Sequence, residues 1–140
     1  MATVIWKLYP EERQTILHPE QIIGVIISTI AREVNWDSDL LAKAIKFLKD
    51  GGINTKLVDI RNAPGGYWSE EVESFVTRLI LFGFATRRKP IEFTKKGVKL
   101  ISEINWDAER RNTIEVKKIE KLMRGFPIPS VNQKRRAFFP

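Results

Sequence analysis

The stretch from Glu20 to Val34 restricts this fold more than any other part of the chain. Its apolar residues Ile22, Ile23, Ile26, Ile27, Ile30, Ala31 and Val34 recur at helical spacing. That pattern predicts a buried helix, and Gly24 within it lets a neighbouring element come close. The longest apolar run, Ile22 to Ala31, is about half of what spans a bilayer. The expectation is therefore a core helix of a soluble, cytoplasmic protein with no membrane partner. With 140 residues the chain has room for one domain, and its four Trp and eight Phe supply much of the core.

The remaining elements follow from caps and breakers. Residues 3–9 alternate like a short strand, with no cleavable signal pattern ahead of it, and Pro10 begins a short helix that His18-Pro19 interrupts. Asp37 caps a second main helix whose buried side is Leu40, Leu41, Ala44, Ile45, Phe47 and Leu48, and Gly51-Gly52 ends it. Residues 53–60 read as a strand, and Asn62 to Gly66 as a loop. Ser69 caps a third helix with core residues Val72, Phe75, Val76, Leu79 and Ile80, closed by Gly83. Residues 84–93 read as a hairpin with Arg88-Lys89 at its tip. Thr94 caps a last helical stretch reaching Met123. The sequence Glu-Val-Asn-Trp-Asp at 33–37 recurs as Glu-Ile-Asn-Trp-Asp at 103–107, which suggests a second helix end and a new cap at Asp107. The fold class expected is mainly α with a small β-hairpin: a domain over 1–123 and a basic tail over 124–140.

Charge narrows the function. The net charge is +7, but residues 1–70 hold 8 Lys and Arg against 9 Asp and Glu. Residues 71–140 hold 16 against 8, a net of +8. A half-chain this basic attracts polyanions, of which nucleic acid is the commonest inside a cell.

The segment 69–101 carries a further signal in Leu79-Ile80-Leu81-Phe82-Gly83-Phe84, Arg87-Arg88-Lys89 and Thr94-Lys95-Lys96-Gly97. It resembles the second half of the winged-helix domain of many bacterial and archaeal regulators. There a recognition helix ends in a Leu-x-x-x-Gly-Leu/Phe-like corner, two wing strands follow, and Thr-x-x-Gly begins the next helix. The resemblance implies a wing at 84–93 that lies along phosphates, with Arg78, Arg87, Arg88, Lys89, Lys95, Lys96 and Lys99 as the candidate contacts, double-stranded DNA as partner, and transcriptional regulation as the role. Two features depart from it. The presumed recognition helix opens with Glu70, Glu71 and Glu73, and about 18 residues separate it from the preceding helix, where a helix-turn-helix uses 3–4. An assembly module that binds other proteins through the same scaffold is the alternative.

The last helix carries an apolar stripe, Val116, Ile119, Leu122 and Met123, flanked by Arg110, Arg111, Lys117, Lys118 and Lys121. Two fates are open to it: a homodimer or other protein interface, or packing within the chain on the N-terminal strand at Trp6. Catalysis is not expected. His18 stands alone in a turn, there is no cysteine, and Ala63-Pro64-Gly65-Gly66-Tyr67 lacks the Lys-Ser/Thr ending of a phosphate loop. Neither a metal nor another cofactor is expected.

Overall fold

A computed structural model describes residues 16–30, 36–86 and 91–127. The expected N-terminal strand and short helix, the wing tip and most of the basic tail lie outside these residues. Helix α1 spans Pro19–Ile30. Its first carbonyl bonds come from His18, whose O accepts the N–H groups of Gln21 and Ile22 at 2.9 and 3.1 Å. The Gln21 side chain reaches back to accept the His18 N–H at 2.9 Å, a reciprocal cap. Every residue from Ile22 to Ile27 is buried, as is Ile30, while Ser28 alone is exposed. Each buried isoleucine contributes about 1.5–3 kcal/mol, which makes α1 the centre of the core.

Helix α2, Ser38–Asp50, begins where Asp37 Oδ1 accepts the Leu40 N–H at 2.8 Å. Leu40, Leu41, Ala44, Ile45 and Leu48 face α1 and its neighbours in the core. At its end Gly52 takes φ +97° and the Ile53 N–H returns to Leu48 O at 3.0 Å, so the glycine stop follows the left-handed route.

Residues 53–60 are not a strand. Ile53, Thr55 and Val58 do point inward, but the segment turns on itself through Val58 N–H to Thr55 O and has no pairing partner among the described residues. The strands come next, at β1 (Arg61–Ala63) and β2 (Gly66–Trp68), where a loop was expected. They pair antiparallel, Arg61 with Trp68 and Ala63 with Gly66, around Pro64-Gly65. Gly65 at φ +81° closes the turn, and β2 lies against α2, with Gly66 beside the Lys43 side chain. The chain is thus mainly α with a small β-hairpin.

Helix α3 spans Glu70–Leu81 with Val72, Phe75, Val76 and Leu79 buried. Its cap Ser69 is itself buried and accepts the Val72 N–H through Oγ at 3.3 Å. Helix α4 runs from Lys95 to Arg124, capped by Thr94, and crosses α1. No described helix is long and apolar enough to cross a membrane.

The second Asn-Trp-Asp does not end a helix: Asp107 lies within α4. The break falls at Asn112, buried and non-helical at φ −157° and ψ 85°. Its Oδ1 accepts the Glu115 N–H at 3.0 Å, so Asn112 is an N-cap set inside the helix. The freed bend turns the last three turns of α4 onto α2. Phe126, beyond the expected domain end at 123, is buried and meets Phe47 edge-on at 5.2 Å. Replacing Asn112 by alanine removes the cap and should lower stability by about 1 kcal/mol, read as a lower urea midpoint at unchanged slope. An unchanged midpoint would show that the bend is held by packing alone.

Candidate functional site

The candidate contacts are organised by the corner where α3 gives way to α4. Gly83 follows α3 at φ +78°, and its N–H bonds Ile80 O at 3.2 Å while the Phe84 N–H bonds Leu79 O at 2.8 Å. This pair of bonds satisfies the last carbonyls of α3 and swings the chain away from the helix. Thr94 then ties the far side of the corner to the near side. Its Oγ1 donates to Gly83 O at 2.7 Å, its N–H donates to Phe84 O at 3.0 Å, and its Oγ1 accepts the Gly97 N–H at 3.2 Å. Gly97 is fixed by sterics: a Cβ there would sit 1.8 Å from the Phe84 carbonyl oxygen. No side chain fits without moving backbone.

Between the two sides the described residues form one isolated bridge and no strand. Ala85 bridges Phe93 antiparallel, the Thr86 N–H donates to Glu92 O at 2.8 Å, and the Glu92 N–H donates to Thr86 Oγ1 at 3.1 Å. Phe93 stacks on buried Trp36, ring centroids 5.1 Å apart, which anchors the hairpin to the start of α2. Arg87, Arg88 and Lys89 lie outside the described residues.

Four other candidates are described, and all are exposed: Arg78, Lys95, Lys96 and Lys99. The corner brings Lys96 to the end of α3, where its Nζ is 3.5 Å from Phe82 O and 5.0 Å from the centre of the Phe84 ring. A cation there is favoured by the helix dipole and the ring face. Lys95 and Lys99 leave the same turns of α4, and Arg78 reaches its own helix at Ser74 O, 3.3 Å away. Among the described residues none of the four has an ion-pair partner; the ion pairs formed there are Lys46–Asp50 and Arg61–Asp59, both on the surface.

The acids of α3 differ in surroundings. Glu71 Oε1 accepts the Asp59 N–H at 2.9 Å and meets Ser69 Oγ at 3.3 Å, so it serves the loop and cap. Glu73 is half-buried and Glu70 exposed. Beyond the first turn the exposed residues of α3 are Ser74, Thr77, Arg78 and Leu81.

The stripe assigned to an oligomer interface is not on the surface. Val116, Ile119 and Met123 are buried within the chain and Leu122 is half-buried against Gly51, because the bend at Asn112 folds this part of α4 onto α2. His18 is an exposed helix-cap residue, and among the described residues no three His, Asp or Glu side chains gather as a metal set.

Two surface features escaped the sequence reading. Leu81 and Phe82 are 64% and 63% exposed, and Phe82 rims a groove of about 310 Å³ with Phe75, Leu79, Phe84, Leu100 and Ile104, which Glu20 and Arg78 also line. Trp106 is 60% exposed, with the Arg110 guanidinium 4.7 Å from its ring centre. The signal available was negative: these residues fall off the core spacings Val72-Phe75-Val76-Leu79 and Gly97-Ile101-Ala108. No protein-family model, curated protein or solved structure matches the chain.

Gly97→Ala should be the most damaging small substitution at the corner, costing about 3 kcal/mol, at the upper end for overpacking. Chemical denaturation compared with Val98→Ala, an exposed neighbour, checks it. Equal stability of the two variants would mean that Phe84 and Gly97 are not held in contact.

Proposed function

We propose that the chain is a non-enzymatic winged-helix protein that binds double-stranded DNA through phosphate contacts, in the manner of a transcriptional regulator. The observation that carries this reading is the corner at Gly83, Phe84, Thr94 and Gly97. It draws the end of α3 and the first turns of α4 together, so that Lys95, Lys96 and Lys99 stand at that corner, while Arg78 lines a hollow with Glu20, Glu70 and Glu71. The sequence adds Arg87, Arg88 and Lys89 between the two paired ends of the hairpin. Cations held near one another repel, and a polyphosphate backbone relieves that repulsion while releasing counterions. The acids at the start of α3 sit at the other end of that helix, and Glu71 is engaged locally. That arrangement supports binding to the backbone more than reading of bases by the helix start.

A second reading draws on one specific observation. The apolar groove beside Leu81 and Phe82 suits a protein partner, and an assembly module built on the same scaffold would use it. In that case duplex binding would be weak and indifferent to the corner cations.

The test is a titration with blunt duplex DNA at several salt concentrations. Lys95→Ala with Lys96→Ala and Lys99→Ala should weaken binding similarly on unrelated sequences. The slope of log K against log salt should shrink by about 0.9 for each phosphate that the variant no longer neutralises. The same weakening is expected of Arg87→Ala with Arg88→Ala and Lys89→Ala. Wild-type affinity and slope in both triple variants would overturn the reading.

A further inference from the structure

The first half of α4 carries a feature that duplex phosphate binding leaves without a use. Lys95, Lys99, Ser102, Trp106 and Arg110 are all exposed. At about 100° per residue they fall within roughly 80° of one another around the helix, forming a single stripe. The stripe starts at the corner and runs about 22 Å along the axis. All of it precedes the break at Asn112, so it lies on one continuous piece of helix. Trp106, toward its far end, makes no part of the core: 60% of it is exposed. Arg110 lies over the ring and adds a cation at the same level. Glu103 and Asp107 border the stripe on one side and Glu109 on the other. Over the continuous piece Lys95 to Arg111 five Lys and Arg stand against three Asp and Glu, so this part of the helix remains a net attractor of anions.

An exposed indole between cations matches one ligand chemistry better than others. A paired duplex offers phosphates but hides its base faces. An unpaired strand offers both at once, phosphates for Lys99 and Arg110 and a free base face for Trp106. Resting on the reading of the corner as a duplex-phosphate site, we propose that the Lys99–Trp106–Arg110 stripe binds an unpaired stretch of nucleic acid leading away from that duplex. The preferred substrate is then a duplex with a single-stranded tail rather than a blunt one. The corner holds the duplex end, the cations of α4 follow the departing strand, and one base stacks on Trp106.

Full-length protein is titrated with three probes: a blunt DNA duplex, the same duplex with an unpaired tail of eight to ten nucleotides, and the tail alone. The tailed duplex should bind about tenfold more tightly than the blunt one. Trp106→Ala should remove that tenfold gain, Trp106→Phe should restore most of it, and neither should move blunt-duplex affinity by more than about twofold. Lys96→Ala, at the corner and off the stripe, should weaken both duplexes alike. Equal binding of blunt and tailed duplexes by the wild type sinks this inference and leaves the corner reading standing. So does a tail gain that survives Trp106→Ala. Binding of no probe removes both, and would direct the stripe and groove to a protein partner.

Discussion

The close crossing of α4 over α1 determines where everything else can go. Helix α1 is apolar on almost every side, so it has to be enclosed, and its largest cover is α4. The approach is set by Gly24, where a Cβ would stand 2.7 Å from Ile104 Cγ2 and 3.2 Å from Asn105 Oδ1. The Asn105 amide donates to Ser28 Oγ at the same crossing. A side chain at position 24 would lever the two helices apart and open the core along α1. Near the start of α1, Arg111 donates through Nε to Ile16 O at 2.7 Å, which pins the entering chain to the same helix.

From that crossing the rest follows in order. Fixing the first half of α4 on α1 fixes Gly97, and Gly97 admits the Phe84 carbonyl that no other residue would tolerate. Phe84 in turn determines how α3 must end, which makes Gly83 the only workable exit at φ +78°. The second half of α4 would project past the core if the helix stayed straight. The cap at Asn112 bends it back, and Val116, Ile119, Met123 and Phe126 then close the core on the side of α2. The basic corner and the stripe on α4 are therefore two consequences of one packing decision.

Local chemistry in the sequence was enough for much of this. Asp37, Ser69 and Thr94 cap the helices they precede, and Gly51-Gly52 and Gly83 end the ones before them, because these effects act within a few residues. The buried helix and the close approach at Gly24 followed from spacing. The misreadings share a different cause. Residues 53–60 have inward-facing apolar residues like a strand, but no partner strand reaches them among the described residues, and pairing is decided by tertiary context. The three-residue strands at 61–63 and 66–68 are too short for alternation to register. Asn112-Thr113-Ile114-Glu115 has the form of a helix start, yet the apolar spacing continues across it and masks the break. The stripe at Val116, Ile119, Leu122 and Met123 looked like an interface because its cover, α2, is about 70 residues away in sequence. For the candidate site, the residue types and the corner were legible. Which exposed apolar residues surround them was not, since exposure belongs to the packed chain.

Whether the corner is where nucleic acid sits is tested most directly by mapping backbone amide shifts by NMR as blunt duplex is added to the full chain. Phe82 to Ala85 and Thr94 to Lys99 should show the largest changes among the described residues, with Leu40 to Leu48 and β1–β2 unmoved. Changes confined to β1–β2, or no change at duplex concentrations well above that of the protein, would contradict the placement of a phosphate-binding surface at this corner.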